Sequence, residues 1–165
     1  MLFFLSIYVI GIIGFLIHVY KTPHEQRTQC RLIELFLLYQ IVFSLGITSL
    51  VAFVGLTFLD AYIAQFTDWP SCPFEQQLAN VNLGYGILGI LCIWFRGYFW
   101  VATVIGFSIW IVGDGIHHLY HFFANDNASP GNIGVPLYTD ILIPAVLLIF
   151  TWLYMRCLRE EKKEK

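Results

Sequence analysis

The sequence predicts an all-α protein: a polytopic bundle of transmembrane helices with five spans, its N-terminus outside and its C-terminus cytoplasmic. Three observations lead there. Of the 165 residues, 58% are apolar and only 12% are charged, about half the charge of a soluble domain, and a chain this short could not hide so much apolar surface from water. Apolar stretches at residues 2–20, 32–56, 76–94, 98–123 and 137–155 each approach the roughly 20 residues needed to cross a hydrocarbon core about 30 Å thick. Finally, all 9 Lys and Arg residues fall on alternate flanks of those stretches. Lys21, Arg27 and Arg31 follow the first, Arg96 follows the third, and Arg156, Arg159, Lys162, Lys163 and Lys165 follow the fifth. The positive-inside rule makes that side cytoplasmic.

Residues 1–165 therefore read as a single transmembrane domain with a basic tail at 156–165. The first stretch has neither the basic n-region nor the small-residue cleavage site of a signal peptide, and is expected to be retained. Gln40 sits mid-span in the second with Ser44, Thr48 and Ser49 near it, a pattern expected to form hydrogen bonds between helices. Gly84, Gly86 and Gly89 in the third stretch and Gly106 and Gly113 in the fourth read as packing residues. They predict that these two spans pack directly together around the turn at 95–97. Trp94, Phe95, Tyr98, Phe99 and Trp100 bracket Arg96 as headgroup-level anchors should. In the loop at 125–136, Pro130-Gly131 reads as a tight turn, and Gly131 and Gly134 permit positive φ. Asn127-Ala128-Ser129 matches a glycosylation sequon, but Pro130 follows it and the match is taken as chance. Cys30, Cys92 and Cys157 are expected on the reducing side and Cys72 alone on the other, so no disulfide framework is expected.

Ionisable groups inside a bilayer cost a few kcal/mol each unless paired, which makes them functional candidates. The fourth span carries Asp114, His117, His118 and His121 in its last turns, with Asp114 about 24 Å above Tyr98. The third begins with Glu75, Gln76 and Gln77 and then buries Asn80 and Asn82; the fifth opens with Tyr138, Thr139 and Asp140. Three helices thus bring carboxylates, amides and imidazoles to one depth near the outer leaflet. Asp114, His118 and His121 share a helix face at i, i+4, i+7, and Asp114, His117 and His121 nearly do. Such a set offers ligands for a transition metal, with Asp140 or Glu75 completing the shell. The same groups also suit a structural or proton-handling cluster, or a pocket for an organic ligand.

Pro73-Phe74, Asn82-Leu83-Gly84-x-Gly86-x-Leu88-Gly89 and Phe99-Trp100-x-Ala102-Thr103-Val104-Ile105-Gly106 resemble a family of small prokaryotic multi-span integral-membrane proteins. Gly113-Asp114, His118, Pro130-Gly131-Asn132-x-Gly134 and Leu137-Tyr138-x-Asp140-Ile141-Leu142-Ile143-Pro144 continue the likeness, which covers about residues 69–144. The family is a domain of unknown function, so the resemblance implies a prokaryotic inner-membrane protein and no reaction. It does favour Asn82, Asp114, His118, Asn132, Tyr138 and Asp140 as the ligand-binding set. His117 and His121 stand where other residue types are expected, which lowers the standing of a three-histidine metal site.

The expectation is a membrane protein with a polar pocket near the outer leaflet. It would bind a small molecule or a lipid headgroup, or act as an accessory subunit beside another membrane protein or a second copy. The alternative is a membrane-embedded enzyme, with His118 as general base and Asp114 fixing its tautomer, or with a metal. A small transporter comes third, because no ionisable group lies below Asn82 in its span. The net charge of −2 excludes a nucleic-acid partner.

Overall fold

A computed structural model describes residues 2–70 and 72–161 and shows helices throughout, with no strand among the described residues. The helices are α1 (Leu2–Lys21), α2 (Gln29–Phe58), α3 (Asp60–Thr67), α4 (Phe74–Leu91), α5 (Tyr98–Asn125) and α6 (Val135–Glu161). Three of them, α2, α5 and α6, are long and apolar enough to cross a membrane.

Local chemistry sets the boundaries. The α1 helix ends where the Thr22 hydroxyl donates to the His18 carbonyl at 2.8 Å and Pro23 follows. Thr28 caps α2, its side chain accepting from the Arg31 N–H. Inside α2, residues Ile41–Ile47 form a π-helical stretch, a widening that sequence reading did not foresee. The Thr48 hydroxyl donates to the carbonyl of Phe43, five residues back, at 3.0 Å. The extra residue rotates the helix faces, so that Ser44, Leu45 and Gly46 are buried in succession. Between α2 and α4 the chain forms α3, a short helix not foreseen in that loop. Its end turns on Asp68 in the left-handed conformation at φ 56°.

The bundle is arranged around α2, with α1, α4 and α6 packed against it and α5 lying along α6. Ile33, Leu37, Ile41 and Leu45 of α2 meet Trp100, Val104 and Phe107 of α5 and Leu147 and Tyr154 of α6 in the core. Outside, the bundle is apolar as well. Ile105, Ile109, Val112 and Ile116 form one exposed stripe on α5, with Ile109 72% exposed. An apolar belt of this kind on a folded chain marks contact with lipid or protein.

The glycines of α4 pack elsewhere than predicted. A Cβ on Gly89 would meet Gly46 Cα at 2.5 Å, and one on Gly86 would meet the Leu50 side chain, so their partner is α2. Gly84 and Gly113 face open space. The α4 and α5 helices meet through a large side chain instead, Tyr85 stacking on Trp110 and edging Phe107. Trp100 is fully buried, no surface anchor, and its Nε1–H donates to the Cys92 carbonyl at 2.8 Å. That bond fastens the reversal at 92–97, which ends on Gly97 at φ 69°.

The described basic residues gather at one end. Arg31 and Arg96 both pair with Glu34, and Arg27 donates to the Tyr20 and Thr22 carbonyls. Lys162, Lys163 and Lys165 lie outside the described residues. Cys30 and Cys157 form a disulfide at this end, with Cα atoms 5.6 Å apart. This corrects the expectation of unpaired cysteines, which rested on compartment alone; the packing of α2 beside α6 is what brings the two together.

Two tests follow from the packing. Gly89→Ala should lower stability by about 2 kcal/mol, because backbone rather than a flexible side chain would have to yield; Gly84→Ala should leave the thermal transition in detergent unchanged. Cys30→Ser should lower that transition by opening a 127-residue link. It should also make Cys157 reactive to a maleimide that leaves the oxidised wild-type pair untouched.

Candidate functional site

At the end opposite the basic residues, α5 and α6 bring Asp114, His118 and Asp140 together, with ligand atoms all within 4.8 Å of one another. Asp114 and His118 are one turn apart on α5, the i, i+4 relation that puts both on one face. Asp140 reaches them because α6 can come close: a Cβ on Gly115 would sit 3.3 Å from that of Asp140. Four residues on, Pro144 is fully buried inside α6 and offers no N–H to the Asp140 carbonyl.

His118 is held from behind. Its Nδ1 lies 2.9 Å from Asn132 Oδ1, and the Asn132 Nδ2 donates to the carbonyls of His118 at 3.1 Å and Asn127 at 2.8 Å. Both Asn132 donors are thus spent on carbonyls, so Oδ1 must face the ring and must accept. It follows that Nδ1 carries a hydrogen and that Nε2 of the neutral ring presents a lone pair. That lone pair faces Asp140 Oδ2 at 3.6 Å, too far for a direct hydrogen bond. Asn132, and not Asp114, therefore fixes the tautomer.

The loop carrying Asn132 is tied down in turn. Asn127 Nδ2 donates to the Thr67 and Asp68 carbonyls, Asn127 Oδ1 accepts from the Ser129 N–H, and the Ser129 hydroxyl donates to the Thr67 carbonyl at 2.8 Å. Asn127 is buried and bonded, so the sequon residue acts as a brace. Neither Gly131 nor Gly134 takes a positive φ. Glycine is needed at 131 for closeness, because a Cβ there would strike the Phe66 carbonyl at 2.4 Å. Over the imidazoles lies Trp69, stacked on His118 with ring centres 4.9 Å apart and contacting His117 and His121 at 5.4 and 4.9 Å.

A family model described as a family of unknown function, DUF6790, matches residues 1–160. The chain belongs to that family. The match extends well beyond the 69–144 segment that carried the resemblance and takes in α1 and α2. No curated protein matches the chain. No solved structure matches it either.

Within this DUF6790 chain, the other predicted site residues scatter. His117 is exposed and His121 bonds Asn125; both touch Trp69, and neither joins the three-residue group. Asn82 is buried, with Nδ2 donating to the Leu78 carbonyl of its own helix. Tyr138 is 62% exposed, and Glu75 accepts from the Cys72 N–H at the start of α4. Sequence reading missed Tyr8, which lines a cavity with Gln40, Ser44 and, just after Asp140 on α6, Leu142 and Ile143. Its place in an unbroken apolar run gave no signal. It also missed Trp69 as a cover for the histidines.

Asn132→Ala should remove three hydrogen bonds at a buried position and lower stability by roughly 2–3 kcal/mol. Nitrogen NMR should show His118 as the Nδ1–H tautomer in the wild type and as a mixture in the variant. A wild-type ring protonated on Nε2 alone would contradict the assignment.

Proposed function

We propose that the chain is a five-span membrane protein that binds a divalent transition-metal ion through Asp114, His118 and Asp140 at a site near the outer leaflet. The carrying observation is the His118 Nε2 lone pair facing Asp140 Oδ2 with Asp114 beside it. Two acceptors that face each other repel unless a cation or a proton stands between them. An imidazole whose far N–H is anchored by an amide oxygen is the usual support of a metal-bound histidine. One nitrogen and two carboxylates suit Zn²⁺, Mn²⁺ or Fe²⁺. In a tetrahedral site, donors about 2.1 Å from the metal stand roughly 3.4 Å apart, so small side-chain rotations would close the group. Three protein ligands leave a position open for a small molecule or a lipid headgroup.

In this reading α1 and α4 complete the five crossings and the basic end faces the cytoplasm, supported by the clustering of Arg27, Arg31, Arg96 and Arg156. The polar end then meets the outer headgroups. An enzymatic role would use the same open position, with Asp114 as a ligand and no longer as the orienter of His118.

The test is elemental analysis and Zn²⁺ titration of the purified protein. Wild type should hold close to one equivalent, with a raised thermal transition. His118→Ala and Asp140→Asn should each weaken binding at least tenfold, whereas His117→Ala and His121→Ala should bind as wild type does. A wild-type protein that takes up no Zn²⁺, Mn²⁺ or Fe²⁺ sinks the proposal and leaves a cluster joined by a shared proton.

A further inference from the structure

Below the carboxylate–imidazole group lies a cavity of about 140 Å³ lined by Tyr8, Gln40, Ser44, Ile143, Val146 and Leu147, with Leu142 at its edge. Its floor carries an unusual group. Gln40 is 8% exposed, its Oε1 accepts from the Ser44 hydroxyl at 2.7 Å, and its Nε2 has no hydrogen-bond partner among the described residues. This corrects the expectation of a bond between helices: among the described residues this side chain bonds only within α2, and two N–H donors are left over. A buried donor without an acceptor costs about 1–3 kcal/mol.

The cavity's shape says what would satisfy the amide. Leu142, Ile143, Val146 and Leu147 make the walls apolar. Water requires two to four polar partners, while a dry cavity of about 150 Å³ takes a benzene-sized guest. The mouth faces sideways. Leu142 is 61% exposed, whereas Leu147 at the back is fully buried. The α1 helix packs mainly on α2, and its Tyr8 lines the cavity together with Leu142 and Ile143 of α6, so the space opens between α1 and α6. A guest arriving from that direction comes from the apolar belt.

We propose that this cavity binds a small, uncharged, lipophilic carbonyl compound, its oxygen accepting from Gln40 Nε2 and its carbon frame lying against Val146 and Leu147. A charged head would find no charged side chain in the lining. A pure hydrocarbon would leave the amide unsatisfied. The proposal does not depend on metal at the upper site; only the route of entry rests on the membrane reading.

The probe is 4-fluoroacetophenone, titrated by fluorine NMR into the full chain in lipid nanodiscs, with 1-fluoro-4-ethylbenzene as its counterpart lacking the oxygen. Wild type should bind the ketone saturably and more tightly than the hydrocarbon. Gln40→Leu, which keeps the volume and removes the amide, should weaken the ketone at least tenfold and spare the hydrocarbon. Val146→Trp, which fills the space, should abolish both. Thermal transitions report whether each variant folds, and Gln40→Leu should be as stable as wild type or more so. The proposal is overturned if the ketone binds equally to wild type and Gln40→Leu. It is equally overturned if neither probe saturates the wild type, for the cavity then belongs to water.

Discussion

A single buried amide organises the polar end of this protein. Asn132 is wholly enclosed, and its side chain spends two donors on carbonyls of α5 and of its own loop and its acceptor on the His118 ring. In water each bond would contribute only about 1 kcal/mol. In a dry interior the alternative is an unpaired amide or imidazole, which costs more than the bond itself earns. The amide therefore cannot turn, the ring cannot turn, and Nε2 must face the two carboxylates. Asn127 and Ser129 extend the constraint to Thr67, so that the connector between α5 and α6 and the short α3 behave as one piece.

Around this fixed point the helices are irregular where the polar groups need it. The π-helical stretch of α2 turns Ser44 and Gly46 inward and lets Thr48 reach back to Phe43. Gly115 admits Asp140, and Pro144 interrupts the hydrogen-bond ladder of α6 one turn below it. Each device weakens a regular helix by a modest amount. Their concentration at one level of the bundle, bracketing the Asp–His–Asp group and the Gln40 cavity, is what a functional region looks like when local rules are broken in concert.

Much of this was open to a reader of the sequence alone, and the reasons for success and failure are physical. Asp114 and His118 lie one turn apart, so their shared face follows from helical geometry. Asp140 follows from depth, since ionisable groups on separate apolar helices lower their cost by meeting. Asn132 was suggested only by resemblance, because a loop residue has no period to betray its direction. The glycines of α4 announced a close approach without naming the neighbour, and chain order suggested α5 where packing chose α2. The π-helical stretch has no compositional signature in Ile-Val-Phe-Ser-Leu-Gly-Ile. Gly131 was read for φ when the demand on it was room beside Phe66.

The basic end obeys a different logic, and two general rules meet there. Clustered Arg residues argue for the cytoplasmic face, while a disulfide argues for an oxidising one. Charge placement acts on the whole topology during insertion, through several residues at once. A disulfide in a reducing compartment persists according to how readily a thiolate can reach its sulfurs. Cys157 is buried in the core beside Tyr154, and only Cys30 is partly open. Shielding of that kind is compatible with the charge rule. The two ends then differ mechanically. The basic end is closed by a covalent link and by Glu34 shared between Arg31 and Arg96, while the described residues of the polar end are joined by hydrogen bonds, ring stacking and the close approach of α5 and α6.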